Sequence, residues 1–321
     1  MIHCFSNLPL RVKIHQLSTD TGNQALGGKE SMTLAPRIYA TIQHLFMKGI
    51  IETVELREKP EQDEEGKRTY LLTADGKPKY ALRMDTPENV AMTEQLHKAY
   101  PDSALLPKIL YADPVKGYLV QPYVAGTTGH DAEGRGSKKV WLPLLVTELL
   151  NRYEADEAGG KWGRLTEPCS SWSEFNEREL SKARENLNGL QPAEDCERVA
   201  LLLEPLANTG NKFLLHGNMD ASSFVFQDKE LAGVLEAKPT AGPVLYDLVQ
   251  AFCSTPDDLS LEVLFEAYSL LDEKAVDQER LVQEALLRVY CRMGQCAAEN
   301  RSELNEYVAA WQFWRMLLPE A

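Results

Sequence analysis

The sequence predicts an α+β protein of two lobes, a small one built on an antiparallel sheet and a larger, mainly helical one. Three observations carry that expectation. Asp75-Gly76 lies between two apolar runs, a strong signal for a tight β-hairpin. Ile50 to Leu56 alternates apolar and polar residues as a half-buried strand does. From Val140 nearly to Leu318, apolar residues recur mostly at helical spacing. The chain of 321 residues is also longer than one small core needs, so two lobes are expected on length alone.

Residues 1–34 read as an N-terminal extension, with a polar, glycine-bearing loop over 17–32. A helix follows over 35–47, with Ile38, Ile42, Leu45 and Phe46 on one face, and Gly49 ends it. The alternating segment 50–56 leads into an acidic loop, Glu58 to Gly66. Two strands then flank the Asp75-Gly76 turn, Thr69 to Thr73 and Lys79 to Met84, with Pro78 at the edge. A helix over 89–100 and two short apolar runs, Lys108 to Tyr111 and Gly117 to Tyr123, complete a first lobe of residues 35–125. The polar stretch between Gly126 and Gly136 suits a linker. The second lobe, 126–321, is helical except for a β-like interruption at 213–236. Trp311, Trp314 and Leu318 fall on one helical stripe and read as core.

Composition excludes several classes. A formal charge of −14 repels nucleic-acid phosphates, and no basic cluster with interleaved aromatics offsets it. No segment has the length and apolarity of a membrane span, and the first fifteen residues do not read as a signal peptide. Six cysteines without CxxC pairs argue for reduced thiols in a cytoplasmic protein. Gly22 to Lys29 nearly matches a phosphate-binding P-loop, but Gly28 is inserted and no apolar strand precedes it.

The chemistry concentrates in the interruption. His216-Gly217-Asn218-Met219-Asp220 is followed by a short strand at Phe224 to Phe226, a turn at 227–230 and a strand at 231–235 ending in Glu236. That hairpin carries the loop near Asn218 and the loop at Glu236 to the same edge, where amide and acidic groups could meet a metal and phosphates.

Here the sequence resembles the aminoglycoside phosphotransferase and choline kinase-like family, which has a two-lobed protein kinase-like fold. The family's catalytic loop runs His-Gly-Asp, four residues, Asn; this chain has His216-Gly217-Asn218 and then Ser223. The family's metal-binding Asp is matched by Glu236, and Gly242-Pro243 to Tyr246-Asp247-Leu248 resembles the segment that starts the next helix. Upstream, Ala81-Leu82-Arg83 is similar to the strand whose cation meets nucleotide phosphates, Glu94 stands where that cation's helix partner does, and Tyr118 to Gly126 resembles the hinge. The resemblance implies Arg83, Glu94, Gln121 and Tyr123 as nucleotide-contacting positions. It also implies Ser223 and Glu236 as metal ligands, and His216, Asn218 and Asp220 around the reaction centre.

The departures define the functional expectation. Asn218 accepts a hydrogen bond but has no useful basicity. Ser223 is a shorter, neutral ligand, whereas Glu236 keeps its charge with one more methylene. Asp220 offers a substitute base, although the simpler expectation is a solvent-facing loop acid. Five carboxylates in the acidic loop stand where kinases cover phosphates with glycines, and they would repel a nucleotide. The expectation is a pseudokinase that binds ATP and Mg²⁺ weakly and acts through a small-molecule ligand or a protein partner. The alternative is a divergent, active ATP-dependent kinase acting on a hydroxyl of a small, cationic metabolite.

Overall fold

The computed structural model describes residues 28–62, 68–155, 160–207, 210–273, 276–299 and 302–318. Two compact units divide the chain, one of residues 1–91 and 108–123, the other of residues 92–107 and 124–321. Residues 92–107, assigned from the sequence to the first lobe, therefore group with the second.

The first unit begins with α1 (Gly28–Met47). It starts before residue 35 and carries Pro36 inside it, where the missing N–H removes one hydrogen bond of the ladder. Its end is a Schellman arrangement: Gly49 takes φ +69°, its amide donates to Phe46 O and that of Ile50 to Leu45 O. Strands β1 (Glu55–Gln62), β2 (Arg68–Ala74) and β3 (Lys77–Met84) follow, then α2 (Pro87–Ala99), which runs from the first unit into the second, and β4 (Tyr111–Asp113) and β5 (Tyr118–Pro122).

The five strands form an antiparallel sheet in the order β1-β2-β3-β5-β4. Asp75 and Gly76 both take positive φ, the requirement of the two-residue turn whose twist matches its strands. The acidic stretch does not begin as a loop, because β1 continues to Gln62 across a bulge. Residues 63–67 lie outside the described residues, as do the acidic side chains from Glu58 on, so the expected repulsion of nucleotide falls outside them too. Ile38, Ile42 and Leu45 of α1 pack on Tyr70, Leu72, Leu82 and Val120, a self-contained core.

The second unit holds β6 (Thr127–Thr128), α3 (Lys138–Glu148), β7 (Gly163–Arg164), α4 (Trp172–Asn186), α5 (Ala193–Ala200), β8 (Phe213–Leu215), β9 (Phe224–Gln227), β10 (Glu230–Val234), β11 (Thr240–Gly242), α6 (Val244–Phe252), α7 (Leu261–Ser269), α8 (Gln278–Ala298) and α9 (Leu304–Trp314). Two three-stranded sheets, β10-β9-β6 and β7-β11-β8, interrupt the helices. Trp311 and Trp314 are fully buried, each with its indole N–H satisfied, by Asp195 Oδ2 at 2.7 Å and Leu259 O at 3.2 Å. Helix α4 packs along α8 at backbone contact: a Cβ added to Gly294 would stand 2.5 Å from Ala183 Cα.

Candidate active site

Two pairings bring the loop of residues 216–223 to Glu236. β8 pairs with β11, with Leu215 opposite Thr240, and β9 pairs with β10, with Phe224 opposite Val234. The loop leaves β8 and enters β9, while Glu236 lies between β10 and β11. Lys238 N donates to His216 O at 3.0 Å and Leu235 N to Ser223 O at 2.7 Å, stitching the two crossings together.

Asn218 is the junction. Its Nδ2 donates to Ser223 Oγ and to the carbonyl oxygen of Glu236, each at 2.7 Å. A backbone carbonyl only accepts, so the amide nitrogen and not the oxygen must face it. The three positions where the sequence departs from its resemblance are thus bonded to one another. Glu236 takes φ +55°, a left-handed conformation uncommon for a residue with a side chain.

The root of the loop is held from beneath. Asp247 on α6 is fully buried; it accepts from Tyr153 Oη at 2.8 Å and from Gly217 N at 3.1 and 3.2 Å. Tyr153 Oη in turn accepts from His216 N at 3.1 Å. Burial pushes the Asp247 carboxyl up to about 7 against the pull of these donors, and burial together with Asp247 raises the Tyr153 phenol. Gly217 takes φ +72° with Lys238 O so close that a Cβ would stand 2.2 Å from it; only glycine fits.

His216 is buried, at 1% exposure, and lies in the loop's root. Asp220 corrects the expectation of a solvent-facing acid. It is buried, and Arg292 of α8 grips both its oxygens, Nη1 on Oδ2 and Nη2 on Oδ1 at 3.2 Å. Its Oδ1 also takes the amide of Ser222 at 3.1 Å, so Asp220 braces the loop as half of a buried ion pair. Burial works against the Arg292 charge, yet Asp220 beside it keeps that guanidinium firmly protonated.

The positions expected to meet nucleotide are placed as follows. Arg83 on β3 is buried, and its Nε donates to Asp85 Oδ2 at 3.1 Å. Glu94 on α2 pairs with Lys98 one turn on, at 2.8 Å. Gln121 lies on β5 opposite Ala81, and Tyr123 N donates to Lys79 O at 2.9 Å. The pair expected to hold Mg²⁺ fits it poorly: Ser223 is fully buried with its hydroxyl oxygen receiving Asn218, which leaves Glu236 alone to donate. Among the described residues no three Asp, Glu, His or Cys side chains gather into a metal-binding group.

A cavity of about 210 Å³ opens beside the loop, walled by Asn218, Met219 and Asp220, by Ala183 of α4, and by Cys291 and Gln295 of α8. The sequence reading did not find these helical walls. A signal existed in Arg288 and Arg292, two cations one helical turn apart among the apolar residues of the second half of α8.

The fold is that of aminoglycoside phosphotransferases and choline kinase, a two-lobed protein kinase-like architecture. Among solved structures, an ADP-bound aminoglycoside phosphotransferase superposes with a TM-score of 0.54 at 15% identity, covering 86% of this chain and 96% of the other. Choline kinase LicA from Streptococcus pneumoniae gives 0.56 at 13% identity over 87% and 99%. Macrolide 2'-phosphotransferase MphH from Brachybacterium faecium gives 0.52 at 15% over 88% and 99%. No family model matches the sequence, and no curated protein matches it. Among the described residues no helix is long and apolar enough to cross a membrane.

Proposed function

We propose that this chain is a kinase-fold protein that does not transfer phosphate, and that it acts by binding a small molecule beside Asn218. One observation carries the reading: Asn218 Nδ2 donates to Ser223 Oγ and to Glu236 O. A general base at this position would be a carboxylate, which has no proton for the Glu236 carbonyl and could meet the Ser223 hydroxyl only if that group turned to donate. The surroundings of position 218 therefore match an amide, and the substitution is built into the loop. ATP is held weakly, since Glu236 is the one charged oxygen donor left from the expected metal pair. The described cysteines are free thiols, in keeping with a reducing, cytoplasmic setting.

The second reading, an active phosphotransferase on a small-molecule hydroxyl, draws support from the fold shared with an ADP-bound phosphotransferase and from the Asn218 side chain at the cavity wall. A coupled assay for ADP release, run with ATP, Mg²⁺ or Mn²⁺ and a panel of hydroxylated metabolites, separates the two. We expect no release above the protein-free blank. Substrate-dependent release that disappears in Asn218→Ala would overturn the non-catalytic reading.

A further inference from the structure

We propose that the cavity beside Asn218 is an oxyanion site that takes a small phosphorylated or carboxylated metabolite. The inference rests on reading that cavity as the ligand site and adds the chemical class of the ligand.

Charge is the first argument. Arg164, Lys182, Lys238, Arg288 and Arg292 line the cavity, against two carboxylates, Glu179 and Asp220. Asp220 is already committed to Arg292. In a chain with a formal charge of −14, a wall with this excess of cations runs against the composition. The lining thiols of Cys253 and Cys291 are pushed up to about 12 by burial and add no negative charge at neutral pH. A cationic metabolite, the acceptor that the alternative reading of the sequence allows, would meet like charge here.

The second argument is a deficit of acceptors. Arg288 is 4% exposed; one Nη donates to Asn176 Oδ1, and the guanidinium lies 4.9 Å from the centre of the Tyr246 ring. Among the described residues its Nε has no hydrogen-bond partner. Buried donors are nearly always satisfied, and each one left unmade is costly. A phosphate or carboxylate supplies the charge and the lone pairs that this wall lacks.

Titration calorimetry without nucleotide, at two set ionic strengths, tests the inference with inorganic phosphate, glucose 6-phosphate, citrate and, as the opposite charge, spermine. The phosphate and citrate arms tell which oxyanion is preferred. We expect anion binding that weakens with salt and that Lys182→Gln, an exposed position on α4, reduces about tenfold. Lys139→Gln, an exposed surface control, should leave it unchanged. Absence of anion binding, binding undiminished in both Lys182→Gln and Lys238→Gln, or a preference for spermine would each overturn the proposal. Because nucleotide is left out, the result is independent of catalysis. If the bound anion gained a phosphoryl group from added ATP, the oxyanion site would stand and the non-catalytic reading would fall.

Discussion

Asn218 Nδ2 points at the carbonyl oxygen of Glu236 from 2.7 Å, so an aspartate at position 218 would set a carboxylate oxygen against a carbonyl oxygen. Restoring the family's base should therefore harm the loop. We expect Asn218→Asp to lose about 1–3 kcal/mol of stability at pH 8. Burial and the facing carbonyl raise the new carboxyl's pKa, so the loss should shrink as the pH falls and the group protonates. Urea unfolding at pH 5 and pH 8 reads this directly. An aspartate variant as stable as the parent at pH 8 and hydrolysing ATP would show that the loop was never rebuilt around the amide.

The Asp220–Arg292 pair spans 72 residues of sequence and is buried on both sides. Removing one member strands the other without a counter-charge, which typically costs about 3–5 kcal/mol. Asp220→Ala should pay this in full, whereas Asp220→Ala combined with Arg292→Met should recover much of it. A double-mutant cycle by urea denaturation gives the coupling, and additive losses would argue that the pair contributes nothing jointly.

Gly217 combines a left-handed backbone with a carbonyl in the space a Cβ would fill. Gly217→Ala should cost about 3 kcal/mol or more, through backbone strain and displacement of Lys238. Thermal denaturation measures it. A drop below about 1 kcal/mol would mean that the loop relaxes freely and does not hold Asn218 in place.

Asp247 takes up its proton near pH 7 in the folded chain, whereas an unfolded aspartate does so near pH 4. Between those values the folded state binds more protons. The contribution of this group is full below about pH 4 and is lost as the pH rises through 7. Replacing it by asparagine removes that titration. The stability of the parent relative to Asp247→Asn should decline from pH 4 to pH 7 and then level off, as followed by urea midpoints. A constant difference across the range would mean that Asp247 ionises normally and that its two donors outweigh burial.

What could be read in the sequence was what short stretches of chain decide. The Asp75-Gly76 turn, the stop at Gly49 and the meeting of the Asn218 and Glu236 loops each depend on neighbours within about twenty residues. Their dihedral and pairing demands show in residue type. The start of α1 is hidden because Gly28 to Met32 are part of a polar, glycine-bearing stretch that reads as a loop. Asp220 read as a solvent-facing acid because its partner lies on α8, and nothing near it in sequence announces a guanidinium. The bracing role of Asp247 and Tyr153 is hidden for the same reason, although Tyr246-Asp247-Leu248 stands out as a segment. The cavity, formed by α4, α6, α8 and the loop, exists only in tertiary packing.

Ala183 and Gly294 bring α4 and α8 together backbone against backbone, and Ala183, Cys291 and Gln295 around that point all face the cavity. The gap between the two walls is therefore a gauge cut by the main chain, which no change of rotamer can widen. The spacing of these two walls is set by main-chain contact and their charge by side chains, so the second can be retuned by substitution while the first stays fixed.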